Sequence, residues 1–235
     1  MLENIFNQFL YQPLFNFFIF LYENLGHNVG LVIIILTILI RAILFPISRK
    51  SIKAQMKMAG HKDQIKEIQK KFKTKEEQSR ELMKFYRENK INPFSGCLPL
   101  LIQLPILIAL YKVFINALKS GDKLINPLFL GINLSKSSPI MAILAGIAQF
   151  FASRLTMKKS ALMPQPGSSE KNLQRQKAMS KQMMYFFPIL TVSFAWSWPA
   201  GLPFYWIVSS LLGLAQDYYL YKQYGRSQKI NQKPI

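Results

Sequence analysis

Residues 29–47 read VGLVIIILTILIRAILFPI, an apolar run broken only by Thr37 until Arg41 interrupts it. That length falls in the range of roughly 17–25 residues that a helix needs to cross a hydrocarbon core. Four more blocks repeat the pattern. Residues 97–118 are interrupted by Gln103, Lys112 and Asn116, and 139–155, 183–198 and 202–221 follow, with 183–198 the shortest. Buried helices of a soluble core account poorly for five such blocks in 235 residues. The expected fold class is therefore an all-α polytopic membrane protein with five transmembrane helices, at about 29–48, 97–118, 139–155, 183–198 and 202–221.

The composition fits that frame. Half the chain is hydrophobic (50%) and the mean hydropathy is +0.13, yet 30 Lys and Arg face 11 Asp and Glu for a net charge of +19. Such hydrophobicity excludes intrinsic disorder, and the charge is segregated. Residues 1–28 hold no Lys or Arg and two acids, whereas 49–96 hold 14 basic residues, 117–138 three, 156–182 six and 222–235 four. The alternation places the N-terminus outside and the C-terminus in the cytoplasm by the positive-inside rule, and five spans demand the same. Most of the +19 is thus a topology signal rather than a polyanion-binding patch.

Around the spans, residues 1–28 form an extracytoplasmic segment. Its aromatic stretch 10–22 lacks the basic start and small-residue cleavage site of a signal peptide. It reads as a helix lying in the outer interface, with a sixth span as the alternative. No transit-peptide composition is present. Residues 49–91 read as a charged cytoplasmic hairpin of two antiparallel helices, with Ile52, Met56, Ile65, Ile68 and Phe72 in one period, Leu82, Phe85 and Tyr86 in the other, and a turn at 73–75. It suits anionic lipid or an acidic partner. The membrane core is expected over 29–224, hairpin included, with a short basic tail at 225–235.

Polar residues inside the spans carry the functional reading. A central Arg costs about 2.5–3.5 kcal/mol on insertion scales. Three readings of Arg41 stand together: it snorkels toward the inner headgroups, it pairs with Asp217, or it faces water. Thr37, Arg41 and Ser48 share a side of the first span; Gln149, Ser153 and Thr156 line the third; Tyr205, Ser209 and Gln216 line the last, beside Trp206, Ser210 and Asp217; Gln103 is the mid-helix amide of the second. Singly, each suits an interhelical hydrogen bond worth about 0.6 kcal/mol. Together, with Arg41 among them, they point to a hydrated cavity. Trp196, Trp198 and Trp206 suit an aromatic belt, and the methionines gathered near the cytoplasmic segments suit adaptable apolar contact. With one cysteine, two distant histidines and no phosphate loop or nucleophile motif, no enzyme, cofactor or metal site is expected.

Three motifs carry a resemblance. Asn92-Pro-Phe-Ser-Gly-Cys97-Leu-Pro99-Leu-Leu-Ile-Gln103-Leu-Pro105 with Ala109-Leu-Tyr111, Leu36-Thr37-Ile-Leu-Ile-Arg41-Ala-Ile-Leu-Phe-Pro46, and Gly201-Leu-Pro-Phe-Tyr205-Trp206-Ile-Val-Ser209-Ser210 resemble the signatures of the YidC/Oxa-type membrane insertases. The likeness covers about 26–224 and is to the five-span bacterial form without the large periplasmic domain. It implies a hydrophilic groove open to cytoplasm and lipid and closed outside, with Arg41 at the groove arginine position and Thr37, Gln103 and Trp206 at other groove or substrate-path positions. Ser210 departs from the asparagine of many members, and the tail is short for a family whose long basic tails assist ribosome binding.

The function so implied is a membrane protein insertase and chaperone in the bacterial cell membrane. It passes client segments into the bilayer through a groove formed by Arg41, Thr37, Gln103, Trp206, Tyr205, Ser209 and Ser210. Expected partners are nascent membrane-protein clients, the ribosome, the Sec translocon and anionic lipids, with no small-molecule substrate. The alternative is a channel or transporter subunit with a polar intramembrane path.

Overall fold

The protein is described here by a computed structural model covering residues 2–72, 74–92, 95, 98–119, 125–159 and 170–231. It is helical nearly throughout. In chain order the elements are α1 (Leu2–Phe6), a π-helical turn (Asn7–Tyr11), α2 (Gln12–Asn24), α3 (Val29–Gly60), α4 (Lys62–Lys71), α5 (Lys75–Glu88) and α6 (Leu98–Lys119). A two-stranded antiparallel ribbon, β1 (Leu128–Phe129) with β2 (Ile132–Asn133), leads to α7 (Pro139–Lys159), α8 (Glu170–Ala195) and α9 (Gly201–Asn231).

Local chemistry sets several boundaries. Gly26 and His27 at positive φ turn the chain after α2, and the Asn28 side chain accepts from the Leu31 N–H at 3.1 Å to cap α3. Ser138 caps α7 in the same way, with Pro139 opening the helix. The charged stretch after residue 48 does not begin a new helix. Instead α3 runs on through Arg49, Ile52 and Met56, and breaks only at Gly60–His61, where glycine, the poorest helix former after proline, meets a non-helical His61. Pro46, Pro105 and Pro188 lie inside their helices, as apolar surroundings tolerate when neighbours re-satisfy the freed carbonyls.

The contacts divide the chain into two compact units. The first comprises Met1–Leu44, Leu100–Phe150 and Phe187–Gly213. Its core is built on Phe18, Val32, Leu36, Leu110, Phe114 and Tyr205. Phe18 meets Phe114 edge-on at 6.0 Å, and Asn116 donates to the Tyr11 hydroxyl at 2.7 Å, so the π-helical turn and α2 lie along α6. At Gly146 of α7 a Cβ would run into the Val192 side chain of α8, the close approach that small residues permit between apolar helices. The β1–β2 turn places Leu130 (φ 50°) and Gly131 (φ 79°) in the left-handed pair that matches strand twist. Phe129 fills the space over Gly30 and meets Phe204 at 5.2 Å, while Ala200 and Gly201 donate to the Lys136 and Leu134 carbonyls. The ribbon thereby ties the start of α3 to the start of α9.

The second unit comprises Phe45–Pro99, Phe151–Phe186 and Leu214–Ile235. In it α4 and α5 close over Ile65, Leu82 and Tyr86, joined by Met58 and Ile91. Thr74 caps α5 by accepting from the Glu77 N–H, and Gln78 donates to the Gln69 and Phe72 carbonyls. A second apolar contact joins Ile52 to Leu220 and Tyr221, and Arg49 donates to the Tyr224 hydroxyl at 2.7 Å. Residue 73 of the expected turn, Cys97 and the side chain of Thr156 lie outside the described residues, as do the side chains of the 225–235 tail.

Among the described residues, one helix, Val29–Gly60, is long and apolar enough to cross a membrane, and three shorter apolar helices lie at Leu101–Ala117, Pro139–Leu155 and Met184–Ala195. The outward faces are apolar. Leu101, Leu104 and Ile108 on α6, and Ile140, Ile143, Leu144 and Ile147 on α7, stand exposed at helical spacing.

Candidate functional site

Arg41 lies 12 residues along α3 from Val29 and meets α9 within the first unit. Nε donates to the Ser209 hydroxyl at 3.1 Å, and Nη2 donates to the same hydroxyl at 2.9 Å and to the Ser209 carbonyl at 2.7 Å. One turn back on α9 the Tyr205 hydroxyl accepts from Gln103 Nε2 of α6 at 2.7 Å. Tyr205 is 1% exposed and Ser209 4%, whereas Arg41 and Gln103 are half-buried, so the α9 partners lie in the interior while the side chains that reach them keep some open surface. On the adjoining stripe Ser210 donates to Gln149 Oε1 of α7 at 3.1 Å. α3, α6, α7 and α9 thus meet through polar side chains set in apolar helices.

Of the residues expected at the site, Arg41, Gln103, Tyr205, Ser209 and Ser210 enter these contacts. Thr37 and Trp206 do something else. The Thr37 hydroxyl turns back to donate to the Ile33 carbonyl of its own helix at 2.5 Å, one turn from Arg41 and fully buried. Trp206 stacks on Trp198, with ring centroids 6.3 Å apart, and Trp198 in turn packs against Phe194 and Tyr111. It belongs to an aromatic stack beside the polar residues.

Two residues were not among the candidates. The sequence places Gln149 only on a polar stripe of α7, and the packing of α7 beside α9 brings it to Ser210. Gly213 continues the Tyr205–Ser209 stripe at the next turn, and the Arg41 guanidinium lies directly over it.

Chemically, the arrangement offers a held cation and a set of neutral donors and acceptors. Among the described residues no group of three or more His, Cys, Asp or Glu side chains stands close enough to hold a metal ion.

Residues 20–228 match the model of the family described as 60Kd inner membrane protein. The chain belongs to that family. Among its relatives, the membrane protein insertase YidC of Fusobacterium nucleatum is 35% identical over 199 residues, covering 83% of this chain and 87% of that protein. The membrane protein insertase YidC of Buchnera aphidicola is 35% identical over 226 residues, or 94% of this chain but only 38% of the relative. Among solved structures, a crystal structure of an active YidC insertase with its first transmembrane domain resolved superposes with a TM-score of 0.63 at 30% identity, covering 89% of this chain and 45% of that one. The chain therefore spans less than half of the Buchnera relative and of the solved structure, and most of the Fusobacterium one. The family match takes in every residue of the Arg41 cluster.

Proposed function

We propose that this chain is a membrane protein insertase that works without ATP of its own, and not an enzyme. The observation that carries the reading is Arg41, an arginine within an apolar helix, held to the Ser209 hydroxyl and carbonyl inside a polar cluster drawn from four helices. Relatives bearing the insertase name support it. In this reading five spans (about 29–48, 97–118, 139–155, 183–198 and 202–221) cross the bilayer, with the N-terminus outside and the C-terminus in the cytoplasm. The apolar outward faces of α6 and α7 suit lipid. The 49–91 segment stands in the cytoplasm, where its 14 basic residues suit anionic headgroups, the ribosome or the Sec translocon.

The physical sequence of events follows from desolvation. A hydrated groove around Arg41, Gln103, Tyr205, Ser209 and Ser210 lets a client's short polar segment enter the membrane without losing all its water, and Arg41 attracts its acidic groups. The client's apolar segment then moves past Trp206 into lipid, and burial at about 25 cal/mol per Å² drives release. The test is insertion of a single-span client into proteoliposomes holding the purified chain, read by protease protection. Arg41→Ala should lower insertion about tenfold or more, the scale of a lost charge-assisted contact. Unchanged insertion for every client would sink the role of the groove charge, and ion flux through the same liposomes would favour a channel instead.

A further inference from the structure

We infer that Gly213 is the seat of the Arg41 guanidinium: lacking a Cβ, it lets the charged plane lie flat on α9 and holds it over Ser209. An ideal Cβ placed on Gly213 would stand 2.9 Å from Nη2, 3.0 Å from Nη1 and 3.1 Å from Cζ of Arg41, and these are its three nearest atoms. Near-equal distances to these three atoms, with Cζ the farthest, place the Cβ position above the plane and over its Nη1–Nη2 end, so that this end of the face is turned to Gly213. All three separations are well inside the 3.5–4.0 Å of ordinary contact, so the guanidinium already occupies the volume that a methyl group would need.

The rest of the contact has the matching shape. Ser209 lies one turn earlier on α9, and the Nε and Nη2 edge of the guanidinium donates to its hydroxyl and carbonyl. In an α-helix the carbonyl of residue 209 is the partner of the residue 213 N–H. Its second lone pair remains for Arg41. One turn of α9 therefore supplies an edge contact at Ser209 and a face contact at Gly213. Helix propensity gives no reason for glycine here, since alanine is the better former. The usual membrane reason, close approach of a second helix backbone, does not apply either, because the nearest atoms belong to the Arg41 side chain. Gly213 is thus a positioning residue. Its consequence for insertion rests on the function proposed for Arg41, but the seat itself rests on geometry alone.

The test uses the full chain in nanodiscs with labelled arginine, following hydrogen exchange of the Arg41 Nε–H, assigned by its disappearance in Arg41→Lys. Gly213→Ala should speed that exchange about tenfold or more and lower client insertion. In the Arg41→Lys background the same replacement should change insertion less than about twofold, because an ammonium has no planar head to seat. Unaltered Nε–H exchange in a folded Gly213→Ala protein overturns the seat. Equal proportional losses of insertion in the two backgrounds also overturn it, since Gly213 would then act through packing. Faster exchange with wild-type insertion supports the seat and counts against the role proposed for Arg41. If Gly213→Ala unfolds the protein, the double variant decides: a folded Arg41→Lys/Gly213→Ala chain supports the seat, and an unfolded one overturns it.

Discussion

Ser209 meets Arg41 through two different atoms, and only one of them depends on the side chain. Ser209→Ala removes the hydroxyl that accepts from Nε and Nη2 but leaves the backbone carbonyl bonded at 2.7 Å. The expected effect is a partial loss, about 1 kcal/mol or roughly fivefold in insertion, smaller than that of Arg41→Ala. Because the hydroxyl acts through Arg41, adding Ser209→Ala to Arg41→Ala should change insertion no further, a non-additive pair in a double-mutant cycle. Additive losses would place the two residues in separate tasks. Arg41, Gln103, Tyr205 and Ser209 were legible in the sequence because a polar group inside an apolar block has to be satisfied somewhere. What the hydroxyls do was not legible. Thr37 falls on the Arg41 side of α3, yet its hydroxyl bonds its own helix at Ile33, an outcome open to any Ser or Thr in a helix. Gly213 was invisible for the opposite reason: a glycine among leucines carries no chemistry until the atom filling its missing side chain is located.

The helices themselves follow from block hydrophobicity, and their ends do not. A change from apolar to basic residues after Pro46 alters what a helix is solvated by without breaking its hydrogen bonds, so α3 continues to Gly60. The β1–β2 ribbon has too few residues for an alternating pattern to show. Within the second unit, Tyr86 shows what burial does to an element. Desolvation raises its phenol above the ordinary value. Below about pH 10 the phenol is neutral in both folded and unfolded chains, and the stability from its burial is fully present. As pH rises from there through the raised folded value, the unfolded chain releases a proton that the folded one keeps, and stability falls. Thermal unfolding compared between wild type and Tyr86→Phe should therefore diverge only above about pH 10, with the wild type declining more steeply. Parallel curves from pH 8 to 11 would show that the α4–α5 contact opens before Tyr86 is solvated.

At the scale of the molecule, the charge distribution and the exposed apolar faces bear on one claim, the orientation of the chain in a bilayer. A fully basic sequence of this net charge can be solvated on either side of a membrane, but segments of alternating charge density cannot be placed arbitrarily, because basic loops resist translocation. The β1–β2 turn follows a segment poor in basic residues, and Leu130 at its tip is 85% exposed. Lys84 on α5 belongs to the segment richest in them, and its side chain is exposed as well. These two positions separate the orientations cleanly. With Cys97→Ser as background, since Cys97 is the sole cysteine, Leu130→Cys should react with a membrane-impermeant maleimide in intact cells, and Lys84→Cys should react only after the membrane is opened. Neither replacement touches the Arg41 cluster, so insertion should persist in both. Labelling of Lys84→Cys from outside would invert the topology and carry the basic segment away from every cytoplasmic partner proposed for it. Labelling of both positions from one side would require an even number of crossings between them, in conflict with the single crossing by α6 proposed between residue 84 and residue 130.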